Sequence, residues 1–461
     1  MATPAPLTRV EVQRLLNPDE VLVFFLVQSN QTFVWAVTKK TMRWSRIDIG
    51  TTALQESVSA LRCGLDRAAW IGDEAENCAT RLGMSARQIP KPYDLLPFDT
   101  AHAHELYKVL FGSIEALVSG KHLLIASTGP LTQIPFNVLV VQPPPAVDEP
   151  NIYSKAAWLG VRQTLTVLPA VSSLRALRQF ATLSTATRPL ISFANPLLDG
   201  PNANYAGASK AALTAQGCTD TGFPLEASAI NRSPNVASVF RGQRSNLTKL
   251  RQLIPLPETA YEACTIAASV GATTGDIWMG ARATERNIKV LSRTGELAKY
   301  RILHFATHAL VAGEIRASVA EPAIVLTPPS DEARLEDLEV DDGLLTASEV
   351  SLLKVDADWV ILSACNTAAG GASTAEPLSG LARAFFYAGA RSLLVSHWEV
   401  ETNAAIELVT TAFNQLRITS GLGRAEAMRR AMAELVKQGG VRAHPAYWAP
   451  FVIVGEGAPS R

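Results

Sequence analysis

Two side chains that can hydrolyse a peptide bond together follow strand-like apolar runs in this sequence. His308 closes "RILHFATH" and Cys365 closes "WVILSAC". A free thiol is mostly protonated at neutral pH, and a nearby histidine favours the reactive thiolate and can pass a proton to a leaving amine. Because the carboxyl ends of parallel strands meet at one edge of a sheet, we expect the two side chains to meet there. The pair predicts covalent catalysis by a cysteine.

A cysteine by itself is a weak indication of chemistry, since free cysteines are among the most buried residues. The histidine strengthens it, because Cys365 follows His308 by 57 residues, near the separation of about 50 in caspase-type proteases. We interpret the other four cysteines as structural: Cys63, Cys78, Cys218 and Cys264. Their scattered spacing, without a CxxC pair, argues against a disulfide framework and a zinc site, and favours a reducing compartment.

Hydrolysis also requires hydrogen-bond donors for the developing oxyanion, and backbone amides at strand ends can provide them. The candidates are the N–H groups of Ala309 and Cys365. We expect substrate to bind in an extended conformation along the sheet edge near residues 396–400, where the strand "SLLVSHWEV" ends. The candidate substrate-binding residues there are Ser396, His397, Trp398 and Glu399. For His397, contact with substrate and simple packing at a strand end both remain open.

A metal site has little support in this sequence. His304 and His308 stand four residues apart, as zinc ligands do on a helix, but their surroundings predict a strand, where that spacing separates them by about 13 Å. We therefore interpret His304 as a hydrogen-bonded core histidine or a support for the site. Glu349 is expected to cap or pair on a helix surface. No phosphate loop and no G-x-S-x-G elbow occurs, so we expect no nucleotide, no serine hydrolase and no cofactor.

The elements that position these residues alternate between apolar strands and amphipathic helices in the second half of the chain. This pattern predicts an α/β fold whose parallel sheet is covered by helices on both faces. Three strand-like runs and a buried strand, "HLLIAS" at 122–127, precede it. Residues 197–256 lack a sustained period and are expected to form a mobile insertion or a functional loop, which could mask the cleft or be clipped on activation.

The composition is that of an ordinary globular protein, with 461 residues and 42 basic and 42 acidic side chains. A net charge of zero gives no electrostatic attraction to nucleic acid or to an anionic membrane. The longest apolar runs, such as "VLVFFLV", are too short to span a bilayer, and the first residues do not have the pattern of a secretory signal. We therefore expect a cytoplasmic location.

Several motifs together resemble the CHAT domain, a caspase-like family related to caspases, separases and gingipains. They are "GPLTQIPFNVLV", "LHFATHA", "DGLLTASEV", "WVILSACNTA" and "PLSGLARAFFYAGARSLLVSHWEV". The resemblance runs from about residue 7 to residue 455. It implies a caspase-like, mostly parallel sheet and a cysteine endopeptidase with a His308–Cys365 dyad. It also implies a smaller non-catalytic caspase-like half at 1–186 before a catalytic half at 187–461.

The resemblance further implies a protein substrate and a regulatory protein partner, which relatives often receive through tetratricopeptide repeats that this sequence lacks. Relatives that cleave after basic residues have an aspartate two positions before the cysteine, where this sequence has Ser363. A neutral side chain leaves a buried guanidinium unpaired. We therefore expect an uncharged P1 residue, unless Glu399, Glu376 or Asp342 supplies the missing charge. The alternative is a catalytically silent scaffold that uses the fold for protein interaction.

Overall fold

The structure is a computed structural model that describes residues 6–85, 88–91, 94–145, 151–180, 183–218, 245–310, 321–330, 341–363 and 380–459. Its strands are β1 Glu20–Val27, β2 Thr32–Thr38, β3 Met42–Ile47, β4 His122–Ser127, β5 Leu165–Val167, β6 Arg188–Ala194, β7 Ile277–Met279, β8 Tyr300–Ala306, β9 Ala309–Leu310, β10 Ala323–Val325, β11 Leu344–Thr346, β12 Trp359–Leu362, β13 Ser392–Ser396 and β14 Phe451–Gly455.

The α-helices are mostly short. They are α1 Arg9–Leu15, α2 Thr51–Cys63, α3 Asp73–Arg81, α4 Thr100–Phe111, α5 Glu115–Val118, α6 Ile152–Lys155, α7 Leu159–Arg162, α8 Ser173–Arg175, α9 Ala206–Thr214, α10 Ser245–Arg251, α11 Glu258–Ser269, α12 Glu285–Arg293, α13 Ala347–Ser351, α14 Gly380–Ala388, α15 Thr402–Ile418, α16 Arg424–Gln438 and α17 Pro445–Trp448. Among the residues that the structure describes, no helix has the length and apolar character needed to cross a bilayer.

The chain forms two compact units. The first contains residues 1–182, 397–399 and 414–461, and the second contains residues 183–396 and 400–413. The C-terminal strand β14 thus belongs to the first unit. The predicted division into a non-catalytic half at 1–186 and a catalytic half at 187–461 stays a prediction.

In the first unit the strand order is β3-β2-β1-β4-β5-β14. The two hairpins joining β1 to β2 and β2 to β3 are antiparallel, whereas β4, β5 and β14 continue the order in parallel. The predicted strand at 122–127 is confirmed as β4. Leu22 and Val37 lie in one apolar cluster with Val12 and Leu16 of the N-terminal segment, so α1 covers part of one face of the hairpin.

In the second unit the strand order is β13-β12-β8-β6-β7, with parallel pairing in each pair whose register is known. Neighbouring residues of β8 contact different helices: His304 meets Glu262 of α11, and Phe305 packs on Phe385 of α14. Since successive side chains of a strand point to opposite faces, α11 and α14 lie on opposite faces of the sheet. The predicted α/β fold with a mostly parallel, doubly covered sheet is confirmed.

The prediction that the scattered cysteines form no disulfides is wrong. Cys63 is bonded to Cys78 in the first unit, and Cys218 is bonded to Cys264 in the second. Sequence spacing does not reveal such pairs, because helix packing brings together residues that lie far apart in the chain. Cys63 ends α2, and Cys78 lies in α3, beside Trp70 in one apolar cluster. The four cysteines are structural, as predicted, but as disulfides.

Removing the bond with Cys78→Ala should lower the free energy of unfolding. The two cysteines are 15 residues apart, and closing a loop of that length contributes about 3 kcal/mol by restricting the unfolded chain. Urea denaturation with and without reductant measures the effect. Reductant should destabilise the wild-type protein more than the variant, and equal destabilisation of both would contradict the assignment.

Candidate functional site

The site begins where the parallel strands β8 and β12 end. Phe305 lies opposite Leu362 in the last pair of the ladder. The N–H of Ser363 then donates to the carbonyl of Phe305 at 2.9 Å, which continues the pairing beyond β12. His308 comes three residues after Phe305, and Cys365 comes three residues after Leu362. Cys365 itself, like Glu376, lies outside the described residues.

The imidazole of His308 is half-buried and held by a backbone carbonyl. Its Nε2 lies 2.8 Å from the carbonyl oxygen of Ile254. A carbonyl can only accept, so Nε2 carries the proton and Nδ1 is the nitrogen that can take one up. This hydrogen bond fixes both the tautomer and the orientation of the ring.

Ile254 belongs to the segment 197–256, which lacks a sustained period and which the sequence predicts to be a mobile insertion or a functional loop. The described parts of this segment contain the helices α9 and α10, so the expected lack of periodic structure is wrong there, whereas the role of the segment as an insertion or a functional loop stays a prediction. Leu250 and Leu253 are buried with Leu310 of β9 in one apolar cluster. The signal was present in "LTKLRQLIPL", whose apolar residues recur at helical spacing. The end of the predicted insertion thus packs on the strand that follows His308. Residues 219–244 lie outside the described residues.

The backbone amide of Ala309 is directed out of a small antiparallel sheet with the order β11-β10-β9. Ala309 lies opposite Ile324, and the N–H of Val325 donates to the carbonyl of His308 at 2.9 Å. In an antiparallel ladder this makes Ala309 and Ile324 a pair that exchanges no hydrogen bonds. The N–H of Ala309 therefore points away from β10, as an oxyanion donor requires. Its role in oxyanion binding stays a prediction.

His304 is confirmed as a hydrogen-bonded core histidine. Its Nδ1 lies 2.9 Å from the hydroxyl of Ser192 on β6, and its Nε2 lies 3.2 Å from Oε1 of Glu262 on α11. All three side chains are buried. Both ring nitrogens are thus satisfied within the protein, and the network joins α11 to the strand that leads to His308.

Cutting this network should destabilise the protein. Glu262→Leu leaves Nε2 of His304 buried without its partner, which costs about 1–3 kcal/mol. The matched variant Glu262→Gln keeps an oxygen that can accept from Nε2 and should lose less. Urea denaturation of both variants measures the difference, and a leucine variant as stable as the glutamine variant would contradict this reading.

The predicted substrate-binding residues have little exposed surface. Ser396 ends β13 and is fully buried, His397 and Trp398 are buried, and Glu399 is half-buried. The N–H of His397 donates to the carbonyl of Pro450 at 2.9 Å, and the indole N–H of Trp398 donates to the carbonyl of Ala446. Packing at a strand end accounts for these contacts. Their role in substrate binding stays a prediction.

His397 is neutral over the physiological pH range. Burial, followed by the positive charge of Arg62, lowers the pKa of His397 from 6.5 to about 3. The guanidinium of Arg62 donates to the carbonyls of Gln133 and His397, at 2.7 and 3.3 Å. A proton taken up on His397 would therefore be unfavourable, which makes His308 the better candidate for proton transfer.

Ion pairs that the sequence alone did not identify hold the motif "DGLLTASEV" in place. Glu349 forms a capping box with Thr346 at the start of α13 and pairs with Lys289 of α12 at 2.7 Å, as its predicted structural role requires. Lys289 also pairs with Glu285, which is almost fully buried. Burial, with the negative charge of Glu349, raises the pKa of Glu285 to about 8. This cluster fixes β11 and α13 against α12.

Comparisons with known proteins agree with the motifs. The family model of the CHAT domain matches residues 100–456. Tetratricopeptide repeat protein 28 from Mus musculus and from Homo sapiens is 27% and 26% identical to this chain over 224 residues. Each match covers 44% of this chain but only 9% of the mouse protein and 8% of the human protein.

Two solved structures superpose on the chain with low sequence identity. Separase in the Saccharomyces cerevisiae separase–securin complex gives a TM-score of 0.45 at 10% identity, over 97% of this chain and 31% of that chain. The Arg-specific cysteine proteinase gingipain R gives a TM-score of 0.38 at 9% identity, over 82% of this chain and 70% of that chain. The family model matches well over half of the residues, and on that basis this chain belongs to the CHAT domain family.

Proposed function

We propose that this chain is a cysteine endopeptidase in which Cys365 is the nucleophile and His308 is the general acid and base. The observation that carries the proposal is the register of β8 and β12. His308 and Cys365 stand three residues beyond one bridged pair, Phe305 and Leu362. Strands in a sheet lie about 4.8 Å apart. If the two chain segments continue side by side beyond this pair, residues that stand the same number of positions after it come within reach of each other.

The state of the other cysteines supports a free thiol at Cys365. The four described cysteines are bonded to one another in two pairs. None of them is left to form a disulfide with Cys365 within the chain. A thiol without a disulfide partner is what a nucleophile requires.

The chemistry follows from these roles. Nδ1 of His308 accepts the thiol proton, while Nε2 keeps its hydrogen bond to Ile254. The thiolate attacks the scissile carbonyl carbon, and the N–H groups of Ala309 and Cys365 stabilise the oxyanion. The imidazolium gives its proton to the leaving amine, which leaves an acyl group on the sulfur. Water, activated by His308, then hydrolyses the thioester and regenerates the thiol.

The proposed substrate is a protein segment with an uncharged P1 residue. Ser363 lies two residues before Cys365, is half-buried and carries no charge to pair with a P1 guanidinium. We also propose a regulatory protein partner, because the curated relatives are named for tetratricopeptide repeats and the match spans less than a tenth of each. The cytoplasmic location stays a proposal, and the two disulfides remove the cysteine argument for it.

Selective alkylation tests the proposed function. The protein is treated with iodoacetamide at neutral pH without reductant, and modified cysteines are identified by mass spectrometry. Cys365 should react faster than free cysteine in a short peptide, because His308 favours its thiolate. A peptide library then reports cleavage and P1 preference. A catalytically silent scaffold would show neither cleavage nor fast alkylation, and strict cleavage after arginine would overturn the proposed specificity.

A further inference from the structure

The strand β3 forms an open edge in the first unit. It stands last in the strand order and pairs only with β2 among the described strands. The N–H of Thr38 donates to the carbonyl of Thr41 at 2.9 Å. Thr38 and Thr41 therefore form a hydrogen-bonded pair. In an antiparallel ladder only every second pair exchanges hydrogen bonds, so the pair formed by Trp35 and Trp44, three pairs further along, does not. The backbone N–H and carbonyl groups of Trp44, and those of Met42 and Arg46, therefore point out of the open edge.

The same three residues carry their side chains on a face lined with aromatic rings. Phe24 stacks on Trp35 with ring centroids 5.5 Å apart, and Phe33 bridges Trp35 and Trp44 at 5.9 and 6.4 Å. The row ends at Trp44, whose exposed fraction is 58%. The carbonyl of Arg46 accepts from the hydroxyl of Ser45 at 3.3 Å. An exposed tryptophan beside backbone groups that β2 does not pair is what an added strand can cover.

The charge around this edge is strongly positive. Residues 39–48 contain four basic side chains and one acidic side chain, in a chain whose net charge is zero. The acidic residue, Asp48, pairs with Arg46 at 3.0 Å, but both side chains are exposed, so the pair contributes little and can be exchanged. A second copy of this chain would bring the same positive charge against itself. An acidic partner would not.

We propose that β3 is the docking strand for an extended acidic segment of a partner protein, which adds to the sheet as an antiparallel strand. The partner residue opposite Trp44 is aromatic or large and apolar, and the residues opposite Arg43 and Arg46 are acidic. Read along the partner chain, this gives the pattern Glu-Thr-Phe-Glu-Val. The phenylalanine exchanges both backbone hydrogen bonds with Trp44.

Fluorescence anisotropy with a labelled peptide centred on Glu-Thr-Phe-Glu-Val tests the proposal on the full chain. Trp44→Ser and Arg46→Glu should each weaken binding about fivefold, since a cross-strand pair contributes up to about 1 kcal/mol. The charge reversal at an exposed arginine of the helix α15, Arg417→Glu, is the matched control and should change nothing. Circular dichroism checks that the variants, all at exposed positions, remain folded.

A second pair of peptides tests the backbone geometry. Methylation of the phenylalanine nitrogen should reduce binding at least tenfold, whereas methylation of the neighbouring glutamate nitrogen, which faces away from β3, should be tolerated. No binding of the first peptide, or equal effects of the two methylations, would overturn the proposal. So would self-association of the protein that Trp44→Ser abolishes, or binding to phosphatidylserine vesicles without binding to the peptide.

Discussion

The variants His308→Ala and Cys365→Ala should each reduce the rate of peptide cleavage by at least about a thousandfold. Without the imidazole, the thiol has no partner to take its proton and the leaving amine has no acid. Without the sulfur, no acyl-enzyme forms. The measurement is kcat and KM on the best substrate from the peptide library.

The double variant distinguishes a dyad from two separate contributions. Residues that act as one unit are strongly non-additive, so losing both should cost little more than losing one. Arg293→Ala, at an exposed position at the end of α12, is the control and should keep the wild-type rate. Cleavage that survives both alanine substitutions would remove these residues from the mechanism.

Replacing Arg178 by alanine should produce the largest loss of stability of any exchange discussed for the first unit. Its guanidinium donates to both oxygens of Glu20 at 2.6 and 2.7 Å, and to Glu456 at 2.8 and 3.0 Å. The Arg178 and Glu20 side chains are only 3% and 1% exposed. Breaking a buried pair leaves an uncompensated charge, so Arg178→Ala should lower the free energy of unfolding by about 3–5 kcal/mol.

The chain offers a matched control three residues earlier. Arg175 pairs with Glu11 at 2.7 Å, but both side chains are partly exposed. Such a pair contributes about 0–1 kcal/mol, so Arg175→Ala should be nearly neutral. Urea denaturation of the two variants gives the comparison. Equal losses would show that burial does not set the strength of the Arg178 pair.

The effect of Arg178→Ala should also depend on pH. Burial acts to raise the pKa of Glu20, but the hydrogen bonds and charge of Arg178 outweigh it and hold the pKa below 4.5. A lowered folded-state pKa contributes stability above the unfolded value and loses it as the pH falls through the folded value. The gap between wild type and variant should therefore be full near neutral pH and shrink below pH 4.5. A gap that widens in acid would contradict this assignment.

The sequence predicted the parts of the fold that long apolar runs encode. The runs "HLLIAS" and "RILHFAT" became β4 and β8, because strands buried on both sides must be continuously apolar. The three-residue strands β5 and β7 were missed, since three residues are too few to show the alternation of apolar and polar side chains that indicates a strand. The disulfides were missed because Cys218 and Cys264 meet only through the packing of the segments around them.

Only the part of the site that consists of distinctive side chains could be predicted from the sequence. His308 and Cys365 could be identified because their types and spacing suggest chemistry. The carbonyl of Ile254 could not, because every residue has a carbonyl and the contact joins residues 54 positions apart. The burial of His397 and Trp398 could not be predicted either. The sequence pattern around a polar or aromatic residue at a strand end is the same whether the side chain faces solvent or the core.

The distance between the sulfur of Cys365 and Nδ1 of His308 tests the central claim most directly. A crystal structure of the protein bound to a peptide-like inhibitor would measure it. We predict a separation within about 4 Å, in a cleft that also contains the N–H of Ala309, since catalytic pairs lie near hydrogen-bond distance. A sulfur that faces away from the imidazole, with the inhibitor bound elsewhere, would contradict the account.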